Sequence, residues 1–289
     1  MGDRVGFIGL GIMGRPMAGH LLAAGLPLTV HSRSPGPVEE LTADGASPAS
    51  SPAEVAAASD VVITMLPDTP DVVEVVTALV PSLAPGSLVI DMSSIDPVPA
   101  RELAATVAAA GSSMLDAPVS GGQKGAVDAA LSIMVGGDDA AFARAEPILR
   151  LMGANVVHAG PSGAGQVTKA CNQLVVGATI EAVAEALLLA ERSGVDAAKV
   201  REALLGGFAG SKILEVHGQR MLDGTFDPGF RIRLHRKDAR IVEDAAAAAG
   251  SPIPSFAVVT GQFQRAVDAG DGELDHSALF RELDREAGR

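Results

Sequence analysis

The sequence predicts an α/β domain followed by an all-α domain, with one long helix joining the two. Three observations carry this reading. From Val5 to about His158, short β-rich runs alternate with helical stretches, the pattern of βαβ units and a mainly parallel sheet. After Gly160-Pro161-Ser162-Gly163 the β signal stops, and the chain becomes rich in Ala, Leu, Glu and Arg at helical spacing. A length of 289 residues suits two ordinary domains at ~150 residues each, here bounded at 1–163 and 164–289.

Strands are expected where short apolar, mostly β-branched runs end in turn formers: Val5 to Ile8, Leu28 to His31, Val61 to Leu66, Leu88 to Met92, Met114 to Val119 and Ser132 to Val135. Between them, Met13, Pro16, Met17, His20, Leu21 and Ala24 recur at helical spacing, and Ala53 to Ala58 and Ala100 to Ala110 read as crossover helices. The joining helix, Gln166 to Arg192, would be ~40 Å long at ~1.5 Å per residue. Gly177 in its middle costs about 1 kcal/mol relative to Ala, so a close packing contact is expected there.

Composition narrows the function classes. Hydrophobic residues at 47% against 20% charged exclude an intrinsically disordered chain. The net charge of −13 repels a phosphate backbone or an anionic bilayer, so neither nucleic acid nor membrane is expected as a partner. No apolar run reaches the ~20 residues of a spanning helix. A single cysteine forms no internal disulfide or Cys-based zinc site, and no basic-then-apolar leader precedes Val5, so a cytoplasmic setting is expected. No spaced set of His and carboxylates suggests a metal.

Gly9-Leu10-Gly11-Ile12-Met13-Gly14 follows directly on an apolar strand and opens a helix, the setting that gives a Gly-x-Gly-x-x-Gly motif its force. The first glycine permits the turn, the second lets a pyrophosphate approach the backbone, and the third lets helix pack on strand. The first domain is thereby a Rossmann-type dinucleotide-binding domain. An NAD site would place an acid at the end of the second strand to bind the ribose diol. Here the stretch is His31-Ser32-Arg33-Ser34; Arg33 pairs with a 2′-phosphate and Ser32 and Ser34 donate to it, so NADP(H) is favoured over NAD(H).

Asp116-Ala117-Pro118-Val119-Ser120-Gly121-Gly122 closes a strand with a hydroxyl and two bare backbone N–H groups, which suits a small carboxylate and equally an ordinary turn. Lys169, Asn172 and Gln173 stand at i, i+3 and i+4 on one helix face, beside an apolar stripe of Val167, Cys171, Leu174 and Ala178. Such a lysine can deliver a proton to a carbonyl oxygen. Cys171, about 200° around the helix from Lys169, is expected to be a packed thiol. His235 and His276 are expected to make structural hydrogen bonds, and Asp238 to be a local charge partner of Lys237.

These residues resemble the β-hydroxyacid dehydrogenases, a family that includes 3-hydroxyisobutyrate dehydrogenase. The likeness covers nearly the whole chain and rests on Gly6 to Gly14, Met65-Leu66-Pro67, Asp91-Met92-Ser93-Ser94-Ile95, Asp116 to Gly122, and Gly165 to Gln173. Later segments, Ala209-Gly210-Ser211, Pro228 to Ile232, Leu234 to Asp238 and Asp275 to Leu279, look most like the 2-hydroxy-3-oxopropionate (tartronate semialdehyde) reductase branch. The resemblance implies that Lys169 is the acid/base and that Ser120, Gly121, Gly122 and Asn172 hold the substrate. Gln173 stands where many relatives carry a second Asn. By the same match Met65, Leu66 and Ser94 contact the dinucleotide and Lys237 reaches its nicotinamide side. A homodimer or homotetramer is implied, acting on a short carboxylate-bearing aldehyde or alcohol. Alternatives within the class are 3-hydroxyisobutyrate, succinic semialdehyde or glyoxylate as substrate; outside it, a noncatalytic dinucleotide-binding protein.

Overall fold

A computed structural model describes residues 3–288. Met1, Gly2 and Arg289, which fall inside the expected domain bounds, lie outside the described residues. The chain forms two compact units, one ending at Lys169 and the other beginning at Ala170.

The first unit alternates strand and helix: β1 (Val5–Ile8), α1 (Gly14–Ala23), β2 (Leu28–His31), α2 (Pro35–Ala43), β3 (Ser47–Pro48), α3 (Pro52–Ala58), β4 (Val61–Thr64), α4 (Thr69–Leu79), β5 (Leu88–Asp91), α5 (Pro97–Ala109), β6 (Ser113–Asp116), β7 (Val119–Ser120), α6 (Gly122–Val127), β8 (Leu131–Gly136), α7 (Asp139–Leu149) and β9 (Gly153–Gly160). One sheet runs in the order β3-β2-β1-β4-β5-β6-β8-β7, with β9 beside β8. From β3 to β6 every pairing is parallel; β8 runs antiparallel to β6 and β7, and β9 parallel to β8. Side chains alternate across a strand, and here both faces are covered. Val5, Phe7, Val30, Ile63 and Ile90 enter one apolar cluster; Ile8, Val62 and Val89 enter the other with Val55, Val72 and Val76. This explains the near-continuous apolar runs in the sequence. Ser51, Asp68, Asp96 and Asp138 accept first-turn N–H groups and start α3, α4, α5 and α7.

The run from Met114 to Val119 is two strands rather than one: Pro118 has no N–H for a ladder, and among the described residues β7 pairs only with β8. Strands β3 and β9 were not expected. Both expose much of their length, and Ala, Asn, Gly and Pro are poor strand formers.

The long helix α8 (Ala164–Arg192) begins in the first unit; the second adds α9 (Ala197–Leu205), α10 (Lys212–Asp223), α11 (Ile232–Ala249), α12 (Pro254–Asp268) and α13 (Leu279–Glu286). Ile180, Ala184 and Leu187 of α8 pack with Leu214, Met221, Ile232, Val242, Phe256 and Phe263. The close contact expected at Gly177 is present: an added Cβ would lie 3.1 Å from Phe256 and 3.3 Å from His235.

The buried face of α8 is the one carrying Gln166, Lys169, Gln173 and Gly177, whereas Val167, Cys171, Val175 and Leu189 are exposed. The expectation that Cys171 is a packed thiol is therefore corrected. It lies one turn from both Val167 and Val175, on the side opposite the buried seam. An 18-residue stretch of α8 has mean hydropathy 1.6, enough by length and composition to cross a membrane, against the expectation that no run qualifies. Its apolar seam is taken up by the core of the helical unit.

Glu181 of α8 is buried, and among the described residues neither carboxylate oxygen meets a donor. Burial, reinforced by Glu185 and Glu286, pushes its carboxyl up to about 7. A folded-state pKa above the unfolded one stabilises fully below about pH 4 and loses that contribution as pH rises through 7. Between pH 4 and pH 8 the protein is expected to lose ~1–3 kcal/mol relative to Glu181→Gln, read from paired urea unfolding curves. Parallel pH dependences in the two proteins would contradict this.

Candidate active site and dinucleotide cradle

The turn after β1 is built around its glycines. Gly9 has φ +98°, which a side chain rarely adopts, and its N–H donates to His31 O at 3.0 Å. A Cβ on Gly14 would collide with the Gly9 carbonyl, whereas one on Gly11 would meet nothing within 4 Å. Leu10 anchors the turn in the core, Ile12 is exposed, and Met13 packs partly against the core. The first turn of α1 holds no acid, so its positive end is left for an anion. A tight turn, an open second glycine and a free helix start fit a dinucleotide pyrophosphate.

Arg33 follows β2 with its side chain 80% exposed and its guanidinium 3.3 Å from Asp71. Ser34 N–H donates to Ser32 Oγ at 3.4 Å. Met65 is held by its N–H on Ile8 O at 2.9 Å, and Leu66 by its N–H on Ser93 Oγ at 2.8 Å. Both loops hang from Asp91, whose Oδ1 accepts from Thr64 Oγ1 at 2.8 Å and Ser93 Oγ at 2.6 Å. Burial pushes the Asp91 carboxyl up to about 6 despite these hydroxyls, with Asp116 adding to the rise. Ser94 follows Ser93 in the same loop, half-buried.

Asp116, at the end of β6, accepts from Gly163 N–H at 2.7 Å and Gln166 N–H at 2.9 Å and so caps α8. Burial raises its carboxyl while these N–H groups pull it back. Beyond it Ser120 is half-buried at the end of β7, and Gly121 turns the chain with φ +135° before Gly122 opens α6. Gln166 is 1% exposed; its Oε1 accepts from Ile95 N–H at 3.0 Å and its Nε2 donates to Ser93 O at 2.8 Å. Three residues on, Lys169 is 8% exposed. The Ser-Gly-Gly turn, the glycine cradle and Lys169 thus belong to one compact unit.

In the helical unit Asn172 Nδ2 donates to Gln173 Oε1 at 2.7 Å, and Gln173 Nε2 donates to Asp238 Oδ2 at 2.6 Å. Lys237 Nζ lies 2.9 Å from Asp238 Oδ1. Asp238 is therefore more than a local charge partner: it ties Gln173 to Lys237. His235 and His276 meet through their Nδ1 atoms at 2.9 Å, as the structural reading expects. Sequence reasoning missed that His217, Asp275 and His276 gather within 4.8 Å. His217 lies far along the chain from the adjacent Asp275 and His276, so no spacing signal joins the three. Arg220 sits 3.0 Å from Asp275 and already supplies the cation, while Gly229 and Phe230 N–H and Ser277 Oγ saturate its oxygens. Asp275 lies well below the usual carboxylate range: burial raises it, but His217, His276, Ser277 and Phe230 together outweigh burial. Asp91, Gln166 and Asp116's capping role were likewise not singled out, since a buried polar bridge has no motif.

A parallel α/β unit with this cradle, followed by a helical unit and carrying a buried lysine after a Ser-Gly-Gly turn, defines a nicotinamide-dinucleotide oxidoreductase. Residues 4–160 match the NAD binding domain of 6-phosphogluconate dehydrogenase, and residues 163–283 the NAD-binding domain of NADP-dependent 3-hydroxyisobutyrate dehydrogenase. The chain belongs to the 3-hydroxyisobutyrate dehydrogenase family of NAD(P)-dependent β-hydroxyacid dehydrogenases and reductases. It is 46% identical to the 2-hydroxy-3-oxopropionate reductase of Escherichia coli, over 97% of each chain. It is 36% identical to the NAD-dependent L-serine dehydrogenase of Pseudomonas aeruginosa, over 99% of each chain. The solved structure of Mycobacterium tuberculosis 3-hydroxyisobutyrate dehydrogenase with L-serine superposes with a TM-score of 0.91 at 36% identity, covering 98% and 99% of the two chains. Family membership sets aside the noncatalytic alternative.

Proposed function

We propose that the protein is an NADP(H)-preferring reductase of 2-hydroxy-3-oxopropionate to glycerate, with Lys169 as general acid/base. The observation that carries this is the burial of Lys169 in the same unit as the Ser120-Gly121-Gly122 turn and the dinucleotide cradle. The substrate assignment is supported by the 46% identity to the Escherichia coli reductase.

Gly9 to Gly14, Ser32, Arg33, Ser34, Met65, Leu66 and Ser94 would hold the dinucleotide, which when bound supplies the hydride. Ser120 Oγ and the N–H groups of Gly121 and Gly122 hold the substrate carboxylate, and so orient the carbonyl. Lys169 Nζ donates its proton to the carbonyl oxygen during reduction and takes it from the hydroxyl during oxidation. Asn172, Gln173 and Lys237 are the further ligands, held in the helical unit by Asp238. In a panel of hydroxyacids with both dinucleotides, kcat/KM for the glycerate pair is expected to exceed that for 3-hydroxyisobutyrate at least ~10-fold. The reverse ratio would favour the second reading, a 3-hydroxyisobutyrate dehydrogenase, which the Mycobacterium tuberculosis superposition supports. Succinic semialdehyde and glyoxylate complete the panel.

The dinucleotide preference has its own check. Arg33 is exposed and held by Asp71 at a position where an acid would select NAD(H). Arg33→Ala is expected to lower the NADPH/NADH ratio of kcat/KM by about 10- to 100-fold, the ~1.5–3 kcal/mol of hydrogen bonds to a charged group. An unchanged ratio would remove the preference. A cytoplasmic setting is part of the same proposal, as is a homodimer or homotetramer, for which the exposed apolar face of Val167, Val175 and Leu189 on α8 is the support.

A further inference from the structure

We propose that Gln166 is a positioning residue that sets Lys169 in register with the loop after β5. This rests on the reading of Lys169 as the acid/base.

Gln166 ties together three parts of the first unit. Its backbone N–H donates to Asp116 Oδ2 at 2.9 Å, which fixes α8 to the end of β6. Its amide reaches the Ser93 to Ile95 segment twice, accepting from Ile95 N–H at 3.0 Å and donating to Ser93 O at 2.8 Å. Ser93 in turn receives Leu66 N–H at 2.8 Å and donates to Asp91 at 2.6 Å. One side chain thereby spans from the start of α8 to both loops proposed to face the dinucleotide, reaching Leu66 through Ser93 and bracketing Ser94 through its neighbours Ser93 and Ile95.

Lys169 is three residues further on, about 60° around the helix and about one turn along it. A rotation or slide of the first turn of α8 moves its Nζ by a similar amount. The helix does not need the amide in order to begin, because Asp116 already accepts the free N–H groups of Gly163 and Gln166. What the two amide bonds add is a fixed distance between the lysine's helix and the loop of Ser94. Both are made where solvent does not reach, with Gln166 1% exposed, so water does not replace them when they are lost.

The test compares Gln166→Met, which keeps the volume and removes both bonds, Gln166→Glu, which keeps the acceptor toward Ile95 and sets oxygen against Ser93 O, and Lys169→Ala. For both Gln166 variants, kcat per dinucleotide-binding site is expected to fall about 10- to 100-fold, as a ~1 Å misplacement does. The substrate KM should stay within about threefold, and the primary deuterium isotope effect on kcat should rise as chemistry becomes slower. Without substrate or dinucleotide, hydrogen exchange at Ile95 N–H should quicken in Gln166→Met. A merely structural role would lower the number of binding sites in a fluorescence titration and leave kcat per site and the isotope effect unchanged; that result overturns the proposal. Should Gln166→Met not fold, Gln166→Glu decides by the same readings. Lys169→Ala inactive with both Gln166 variants at full kcat per site removes this inference alone. Lys169→Ala fully active removes the reading it rests on, and the inference with it.

Discussion

Lys169→Ala is expected to lower kcat about 10³-fold while dinucleotide affinity stays within about twofold, the range for loss of a positioned general acid being ~10²–10⁴. Lys169 is only 8% exposed and stands on the buried face of α8, whose first turn Asp116 and Gln166 pin in place. No neighbouring proton donor on that turn takes over: Thr168 Oγ1 donates to Ala164 O at 2.7 Å, and Cys171 faces outward. Lys169→Arg is expected to be nearly as inactive, because a guanidinium does not release its proton near neutral pH. Steady-state kinetics with a fluorescence titration of the dinucleotide separates the outcomes. Equal loss of binding and turnover would mean a damaged fold, and retained turnover would exclude the lysine.

The second large effect contrasts two glycines of one motif. Gly14→Ala is expected to destabilise the protein by about 3 kcal/mol, since its Cβ would strike the Gly9 carbonyl and lie 3.0 Å from Phe7, and neither gives way in a packed unit. Gly11→Ala meets nothing within 4 Å and is expected to keep its melting temperature. It places a methyl where the pyrophosphate must approach, so the dinucleotide Kd should rise at least ~10-fold. Calorimetry on apo protein and a binding titration check both. Loss of affinity without loss of stability at Gly14, or the reverse at Gly11, would contradict the assigned roles.

The sequence is most legible where periodicity and backbone chemistry speak locally. β1, β2 and the start of α1 are where the apolar runs and glycines place them, because β1 is buried on both faces and must be apolar throughout, while β2 alternates buried Leu28 and Val30 with half-buried Thr29 and His31. α8 is as long as its spacing predicts, and Gly177 makes the close contact its cost implies. Legibility fails where tertiary context decides. β9 is a half-exposed strand in which only Val156 and Val157 are strong formers, flanked by Gly, Ala and Asn, so its pairing with β8 decides it. Gln166, Lys169 and Gln173 of α8 face inward and Cys171 outward, the opposite of what hydropathy alone suggests; for Gln166 the partners are Asp116, Ser93 and Ile95. In the candidate site the motif residues were readable one by one. The bridges that align them, through Asp91, Gln166 and Asp238, join residues tens of positions apart and leave no mark on spacing.

The ammonium of Lys169 is proposed to protonate the substrate oxygen. A crystal structure of the full chain with dinucleotide and a hydroxyacid tests it most directly. Lys169 Nζ is expected within about 2.6–3.2 Å of the oxygen that is reduced, with the carboxylate on Ser120, Gly121 and Gly122. A lysine turned to solvent, or a substrate whose reacting oxygen lies beyond its reach, would contradict it.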